Sequence, residues 1–570
     1  MAVLLAVAAA LLATVGGAPR SRAAAMETRD VFFTASDGVQ LYATIGGAAP
    51  LAARPVIIED SPYAPGVTMP FGDAYNYVQL QWRGTGRSGG TWNTTGGRDQ
   101  LDLSEFVGWA CGQPWSNGRL GLYGFSASAI AVYNSLHLPM PCVKAAALMA
   151  GTVDLYRDLL YIGGIQAAVP GLYVYGAVFA PWLQNLPQRL AEQPGSVPDS
   201  LAGYGTVTAD VATHQTEDDY WRDRTFKGDR DGIPILADTS FYDVEPRGPF
   251  LAYEATKQFG SHLLVMGAHD GFPAGTGGPF PEYGRWFDHY VRGVDNGIDR
   301  EPPVSVYLSN GSREQLLGGS FTHFTAEDWP LPTTRWTRLF LTSAKSGSAQ
   351  SLFDGSLSTA AQATPAAQPY PFFPANSFET DPHTTSAIAG ATQLDRAATY
   401  FPFLTNMALT EPTSITFTTP PFASAVDAVG PASVDVFVSS TQGETDLVVV
   451  LADVWPDGTA HAVTTGQLRT SFPNVDRSRS RIDPVTGEIV QPYTDFSAKT
   501  PPSPGEVREY HVELLPLGNH FGAGHRLRLY VVGTPNHSQP SLPGVNTVVL
   551  GGVTPSRLVL PTLGAPPSFR

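Results

Sequence analysis

The stretch Arg119-Leu-Gly-Leu-Tyr-Gly-Phe-Ser-Ala-Ser-Ala-Ile130 decides the fold of this chain. Its apolar run from Leu120 to Tyr123 has the length of a buried strand. The segment Gly124 to Ser128 is typical of a sharp turn, and Ala129 to Leu136 has the apolar spacing of a helix. A strand, a tight turn that carries a serine and a helix together predict a nucleophile elbow.

The turn departs from the usual elbow pattern G-x-S-x-G at its last position, where Ser128 replaces glycine. Tight packing at that position requires a small side chain, and serine meets the requirement. If Ser126 is the nucleophile, the backbone N–H of Ala127 is a donor to an oxyanion. The alternative is that Ser126 is an ordinary N-cap of the following helix.

Composition narrows the choice of fold and partner. A chain of 570 residues can bury several cores, so we expect two or three domains. The formal net charge of −16 argues against nucleic acid or an anionic membrane as the main partner. The 58 glycines and 49 prolines indicate many turns. A neutral small molecule remains compatible with all of these properties.

The N-terminus predicts export. Residues 2–15 form an apolar run too short to span a bilayer, and small residues follow as far as Ala25. This pattern is typical of a secretory signal peptide within residues 1–25, cleaved between Ala18 and Ala25. A disordered or anchoring N-terminus is the alternative. We expect a secreted or extracytoplasmic protein with no membrane association after cleavage.

The chain has two cysteines, which lie on either side of the elbow. Cys111 ends the predicted helix before the elbow strand, and Cys142 begins the predicted strand after the elbow helix. Neighbouring parallel strands would bring both to one edge of the sheet. In an exported protein we expect a disulfide between them, the alternative being two buried thiols.

The order of elements predicts three parts. Strand-like runs alternate with helical stretches in residues 27–151 and 230–300, which predicts a mostly parallel sheet. Residues 152–229 are helical and rich in aromatics, which predicts a cap inserted over the sheet edge, or alternatively further core helices. Residues 301–570 contain short β-branched runs typical of an all-β sandwich. Within that last part, residues 342–385 have the composition of a long surface excursion.

Catalysis by a serine requires a base and an acid that orients the base. In α/β-hydrolases these residues follow the serine in the order acid, then histidine, each just after a strand. Asp243 follows the predicted strand 233–237, and His269 follows the predicted strand 262–266. The predicted triad is therefore Ser126, Asp243 and His269. Asp238 is an alternative acid, whereas His262 and His289 fit the role of base poorly.

Further motifs extend over residues 30 to 560 and make the resemblance to a known family specific. They are Ser61-Pro-Tyr63, Arg83-Gly-Thr-Gly-Arg-Ser-Gly89, Gln113-Pro-Trp-Ser-Asn-Gly118, Asp218-Asp-Tyr-Trp-Arg222, Arg285-Trp-Phe-Asp288, Asn296-Gly-Ile298, Asp453-Val-Trp-Pro-Asp-Gly458 and Gly524-His-Arg-Leu-Arg528. With these motifs the chain resembles the cocaine esterase / Xaa-Pro dipeptidyl-peptidase family of serine hydrolases. The resemblance implies an α/β-hydrolase domain with an inserted helical cap, followed by a C-terminal jelly-roll domain.

The resemblance also implies roles for individual residues. By their motifs, Ser126 would be the nucleophile, Asp243 the acid and His269 the base. Tyr63 would supply its hydroxyl to the oxyanion hole beside the N–H of Ala127. The chain departs from the family pattern at Ala127, where tyrosine is common, and at Ala129, where glycine is common. Relatives that recognise the amine of an amino-acid ester carry an acid shortly after the serine, an option that Ala129 removes. The cap acids Asp154 or Asp158 could take that role here.

We therefore expect a secreted serine hydrolase that cleaves a small ester or peptide substrate through an acyl-enzyme. An Xaa-Pro dipeptidyl-peptidase is favoured by the family, and an esterase or acylase of small acyl groups is the alternative. An inactive scaffold with a binding β-sandwich is the alternative of another class. No cofactor or metal is expected, and the oligomeric state stays open. The predicted substrate pocket is lined by aromatic side chains: Trp82, Phe125, Tyr173 and Phe272.

Overall fold

A computed structural model gives the structure of the chain. It describes residues 25–63, 66–166, 178–241, 246–266, 276, 278–309, 321–372, 407–409, 411–532 and 541–570. Within these ranges, no helix combines the length and the apolar character needed to cross a membrane.

The first part of the chain builds one side of a sheet. Its strands are β1 Met26–Thr34, β2 Gln40–Ala48, β3 Arg54–Ser61, β4 Asn76–Gln81, β5 Ser116–Phe125 and β6 Val143–Met149. Its helices are α1 Gly97–Cys111 and α2 Ala127–Ser135. Helix α1 is amphipathic, and its apolar residues Leu103, Phe106 and Val107 are fully buried on one face. The apolar run of the elbow stretch lies in β5, where Leu120 and Leu122 are also fully buried.

An insertion follows β6 and is mostly helical. It begins with a π-helical turn, Tyr156–Leu160, and a short hairpin of β7 Tyr161–Ile162 and β8 Ile165–Gln166, which the sequence pattern did not predict. The helices that follow are α3 Ala180–Gln184, α4 Leu186–Glu192, α5 Val197–Thr213 and α6 Asp219–Arg222. Short 3₁₀ turns lie at Pro194–Ser196 here and at Lys257–Phe259, Ile298–Arg300, Met407–Leu409 and Glu411–Thr413 later in the chain.

The insertion is tied to the Arg83–Gly89 loop through that loop's backbone carbonyls. Arg189 on α4 donates to the carbonyl oxygens of Thr85 at 2.8 Å and Gly86 at 3.1 Å. The Tyr204 hydroxyl on α5 donates to the Gly84 carbonyl at 3.3 Å. These bonds give side-chain donors of the insertion to backbone carbonyls of the loop and so hold the two together.

The sheet then resumes with β9 Ile235–Thr239, β10 His262–Val265, β11 Val304–Ser309 and β12 Phe321–Ala326. Helices α7 Arg247–Thr256 and α8 Phe280–Phe287 accompany these strands, and α8 continues as a π-helical turn, Asp288–Arg292. The ten strands are ordered β1-β2-β4-β3-β5-β6-β9-β10-β11-β12. Every pairing from β4 to β11 is parallel, as the alternating pattern predicted. The sheet extends past the predicted boundary at residue 300, because β11 and β12 belong to it.

The remaining strands form a β-rich domain. They are β13 Thr334–Thr342, β14 Phe353–Ser358, β15 Ala366–Phe372, β16 Ile415–Thr418, β17 Val426–Ser440, β18 Asp446–Val454, β19 Ala460–Arg469, β20 Arg481–Ile482, β21 Ile489–Gln491, β22 Arg508–Phe521, β23 Arg526–Val532, β24 Gly544–Leu550 and β25 Arg557–Leu563. Strand β17 pairs with both β22 and β25, so the order β17-β22-β19-β18-β23-β16-β14-β13-β25 returns to β17 and closes a barrel. The prediction of a C-terminal β-rich domain is confirmed. The sequence predicted a two-sheet sandwich, whereas these strands pair as one closed ring.

Cys111 and Cys142 are joined by a disulfide, with their Cα atoms 6.1 Å apart. Cys111 is the last residue of α1, and Cys142 directly precedes β6. The bond therefore links the two connections that flank the elbow strand at its lower edge.

Candidate active site

Ser126 lies at the junction of β5 and α2, with φ 54° and ψ −118°. A non-glycine residue with positive φ is strained, and such strain concentrates at functional sites. Gly124 is required by the close turn, because a Cβ there would lie 2.6 Å from the backbone nitrogen of Ala129. The Ser126 N–H donates to the Met149 carbonyl at 2.8 Å, which ties the turn to β6. This is the geometry of a nucleophile elbow.

The position where the elbow departs from G-x-S-x-G is fully buried and makes a specific contact. The Ser128 hydroxyl donates to Oε1 of Glu59 on β3 at 3.1 Å. Glu59 is a residue of the site that the sequence analysis missed. The replacement of glycine by serine at position 128 was the available signal, since a buried hydroxyl needs a partner.

Two donors of the predicted oxyanion hole meet beside Ser126. The backbone N–H of Ala127 donates to the Tyr63 hydroxyl oxygen at 3.2 Å. The Tyr63 backbone is itself held, since its N–H donates to the Ser61 hydroxyl and its carbonyl accepts from the Gln81 amide, both at 3.2 Å. An oxyanion that entered between them would accept from the N–H of Ala127 and from the Tyr63 hydroxyl.

Asp243 and His269 lie outside the described residues, in segments that follow β9 and β10. The ends of these strands lie in register with the elbow. Phe125 pairs with Met149, Met149 with Asp238 and Asp238 with Leu264. Because all of these strands are parallel, β9 and β10 end at the same edge of the sheet as Ser126. The assignment of Asp243 as acid and His269 as base stays a prediction.

The alternative assignments fall at different places in the sheet. Asp238 is buried within β9, where it accepts a hydrogen bond from the Tyr283 hydroxyl on α8. His262 begins β10 and therefore lies at the opposite edge from Ser126. Its ring packs 5.1 Å from that of Trp286, and burial lowers its pKa to about 4. His289 lies in the π-helical turn after α8, with its Nδ1 3.2 Å from the Val294 carbonyl.

Of the four aromatic residues predicted to line the pocket, two are described. Trp82 is 4% exposed and stacks on Trp92, with ring centroids 6.5 Å apart, in the apolar cluster that also contains Ala127. Phe125 is half-buried beside the cluster under α8. Tyr173 and Phe272 lie outside the described residues.

The two acids proposed for amine recognition are engaged by arginines. Asp158 accepts from Arg247 at 2.7 Å and from the Thr152 hydroxyl. Asp154 accepts from the backbone N–H of Arg157 at 3.0 Å, and its other oxygen lies 3.4 Å from the Arg157 Nε. Burial raises the pKa of Asp154 to about 6, against the attraction of Arg157.

Comparisons with known proteins agree with this geometry. The model of the X-Pro dipeptidyl-peptidase (S15 family) matches residues 37–270, and that of the X-Pro dipeptidyl-peptidase C-terminal non-catalytic domain matches residues 296–553. Cocaine esterase from Rhodococcus sp. (strain MB1 Bresler) is 24% identical over 522 residues, covering 82% of this chain and 84% of that protein.

Two solved structures share the fold over nearly the whole chain. A CocE/NonD family hydrolase from Staphylococcus aureus superimposes with a TM-score of 0.70 at 20% identity, covering 94% of this chain and 93% of that one. An aminopeptidase from the marine sediment archaeon Thaumarchaeota archaeon gives 0.72 at 17% identity, covering 97% and 99%.

Fold and site together define a serine hydrolase with an α/β-hydrolase domain. The two family models follow one another along the chain and narrow the class. The chain belongs to the cocaine esterase / X-Pro dipeptidyl-peptidase family, which confirms the resemblance seen in its motifs.

Proposed function

We propose that this protein is an exported serine hydrolase that cleaves a carboxylic ester or amide through an acyl-enzyme. The observation that carries the proposal is the 3.2 Å contact between the Ala127 N–H and the Tyr63 hydroxyl, beside a strained Ser126. Two unrelated parts of the chain thus bring two donors to the place where a tetrahedral oxyanion would form.

The proposed reaction has two halves. The Ser126 Oγ attacks the substrate carbonyl carbon while its proton passes to His269, whose imidazole is oriented by Asp243. The carbonyl oxygen becomes an oxyanion held by Tyr63 and Ala127. His269 then protonates the leaving alcohol or amine, and the C–O or C–N bond breaks to give the acyl-enzyme. Water, deprotonated by His269, attacks the acyl-enzyme and releases the acid with Ser126 restored.

The surrounding parts have proposed roles of their own. The helical insertion would act as a cap over the cleft, and the β-rich domain, of jelly-roll type, would close one of its sides. Export would follow cleavage within residues 1–25, and the disulfide between Cys111 and Cys142 supports an oxidising destination. N-terminal sequencing of protein recovered from the culture medium tests this part of the proposal.

Substitution of the nucleophile tests the core of the proposal. Ser126→Ala is expected to abolish both ester turnover and covalent labelling by a fluorophosphonate, because no other atom would attack the carbonyl. The matched control is Ser135→Ala, the same change one helix length away, where the hydroxyl donates only to the Ala131 carbonyl. Full labelling of Ser126→Ala would contradict the proposal, as would an unlabelled wild-type protein, which fits the inactive scaffold.

We propose an esterase or acylase of small acyl groups as the more specific activity. Asp154 and Asp158 are the acids that could bind the amine of a dipeptide. They are paired with Arg157 and Arg247, respectively, so neither offers a free carboxylate to such an amine. The name of the cocaine esterase relative supports the same choice. The Xaa-Pro dipeptidyl-peptidase remains the second candidate, supported by the descriptions of both family models.

A free-amine requirement separates the two activities. An esterase should hydrolyse short-chain p-nitrophenyl esters and should treat Ala-Pro p-nitroanilide and its N-acetylated form alike. A dipeptidyl-peptidase should cleave only the anilide with the free amine. Exclusive cleavage of that anilide would overturn the esterase proposal and establish the second candidate.

A further inference from the structure

Glu59 lies on β3, the strand that precedes Tyr63, and its carboxyl group makes one contact towards each of the two predicted oxyanion donors. Its Oε1 accepts from the Ser128 hydroxyl at 3.1 Å, and its Oε2 lies 3.5 Å from the Gln79 amide nitrogen on β4. Both bonds join side chains and are not part of the backbone pairing of the sheet or the helix, so they depend on the residues at these positions. Glu59 thereby links the strand before Tyr63 to the helix after Ser126 through side-chain hydrogen bonds.

One arm of this network reaches the first oxyanion donor. Ser128 lies in the first turn of α2, directly after Ala127, whose N–H is the backbone donor. The bond to Glu59 fixes the rotation of this turn against β3. A shift of the turn would move the Ala127 N–H away from the oxyanion.

The other arm reaches the second donor. The Gln79 side chain passes the contact on, because its Oε1 accepts from the Gly66 N–H at 2.8 Å. Gly66 lies just beyond Tyr63, whose other side is held by Ser61 and Gln81. Tyr63 is thus held on one side by Ser61 and Gln81, and Gly66, the next described residue, is held through Gln79 and Glu59.

The surroundings of Glu59 disfavour a charge on its carboxyl group. An ionised carboxylate so close to the site would oppose a developing oxyanion. Desolvation raises the pKa of Glu59, against the hydrogen bonds from Ser128, Gln79 and Ser61, and favours the neutral acid. A neutral carboxyl can hold both arms without that repulsion.

We propose that Glu59 and Ser128 are positioning residues that set the distance between the two oxyanion donors, Ala127 N–H and Tyr63 hydroxyl. The inference rests on the proposed function, since it assigns the pair a role in that reaction. It also accounts for the unusual elbow: serine at position 128 is the partner of Glu59 as well as a small residue.

Kinetics and binding of a transition-state analogue test the pair. Ser128→Ala is expected to lower kcat for a p-nitrophenyl ester by about tenfold, less than the 10²–10³ typical of losing a donor outright, with KM within about twofold. A boronic acid, which mimics the tetrahedral oxyanion, should lose affinity by the same factor. Ser135→Ala, matched in chemistry and helix, should change neither quantity.

Substitutions at Glu59 complete a double-mutant cycle with Ser128→Ala. Glu59→Ala removes both arms and should lower kcat at least as far as Ser128→Ala does. The double variant should fall no further than Glu59→Ala, because the contact with Ser128 is already lost in that variant. Glu59→Gln keeps an oxygen acceptor without a charge and should restore kcat to within about threefold of the wild type. Thermal unfolding of every variant reports on the fold independently.

The outcomes separate this inference from the proposed function. If Ser128→Ala keeps kcat and boronate affinity within twofold of a wild type that the fluorophosphonate labels, the positioning role is overturned and the serine hydrolase stands. Strictly additive losses in the double variant, or no rescue by Glu59→Gln, also overturn it. A wild type without turnover or labelling overturns both proposals.

Discussion

The Tyr63 hydroxyl is the second of the two predicted oxyanion donors, and without it the Ala127 N–H would act alone. The Tyr63 hydroxyl lies 3.2 Å from the Ala127 nitrogen, whereas the ring packs at the edge of the apolar cluster that holds Ala127. Tyr63→Phe keeps the ring and removes only the hydroxyl. We expect kcat to fall by about 10²–10³ with KM nearly unchanged, because the lost bond strengthens in the transition state.

Steady-state kinetics with a p-nitrophenyl ester measure this effect. Tyr133→Phe is the matched control, because the Tyr133 hydroxyl is buried in α2 with no hydrogen-bond partner among the residues described. Activity in Tyr63→Phe equal to that of the control would remove Tyr63 from the oxyanion site.

Single residues also show where prediction from sequence ends. The places of Ser126 and Tyr63 could be predicted because each follows an apolar strand within a recognisable local motif, whereas their roles stay predictions. Glu59 could not, since its role depends on a 3.1 Å contact with Ser128, a residue 69 positions away. Local spacing carries no information about such a contact until the strand order is known.

At the scale of elements, helix α1 carries an acid whose ionisation opposes folding. Asp99 lies in the first turn, where a negative charge is normally favourable. It is 9% exposed, however, and burial raises its pKa to about 7, with the charge of Asp102 adding to the shift and Arg83 opposing it. Because the unfolded value is near 3.8, the folded protein retains a proton that the unfolded chain releases.

The sign of the pH dependence follows directly. The contribution of Asp99 to stability is complete below about pH 4 and is lost as the pH rises to about 7. In Asp99→Asn, the free energy of unfolding measured in urea should therefore fall less between pH 4 and 8 than in the wild type. Asp219→Asn, at a fully exposed side chain, is the reference. An identical pH profile in Asp99→Asn and the wild type would contradict the assignment.

Elements with strong periodicity could be predicted, and weak ones could not. The apolar residues of α1 recur at helical spacing, and the face they form is the buried one. Residues 342–385 were expected to be a surface excursion, yet β14 and β15 lie within them. Strand β15 has the sequence AAQPYPF and pairs with β24 at the end of the sheet order, where an edge strand tolerates proline. Because its prolines and small residues are typical of a loop, the strand was not predicted from the sequence.

At the scale of the whole molecule, the domain classes followed from the order of elements, but their boundary did not. Strands β11 and β12 extend the hydrolase sheet beyond residue 300. β12 pairs antiparallel with β11 at the edge, so it lacks the alternation with helices that marks a parallel sheet. The sequence pattern of β12 resembles that of the strands in the β-rich domain that follows. Only its pairing with β11 shows that it belongs to the hydrolase sheet.

One guanidinium joins three parts of the molecule. Arg247 on α7 donates to Asp158 of the insertion at 2.7 Å and to Glu513 on β22 of the β-rich domain at 2.9 Å. The side chain of Arg247 is 8% exposed and that of Asp158 is 1% exposed. Breaking a buried pair is costly because the remaining carboxylate has lost its partner. This residue therefore couples the stability of the β-rich domain to that of the catalytic domain.

Arg247→Met tests the coupling. It should lower the free energy of unfolding by about 3–5 kcal/mol, mainly because the buried Asp158 loses its cation, while Glu513 is partly exposed. Arg300→Met removes exposed ion pairs with Asp295 and Asp299 and should leave the free energy of unfolding close to that of the wild type, because such pairs are screened by solvent. Urea unfolding followed by tryptophan fluorescence measures both variants. If Arg247→Met unfolds like Arg300→Met, the junction contributes little, and the two domains must be held together by their apolar contacts instead.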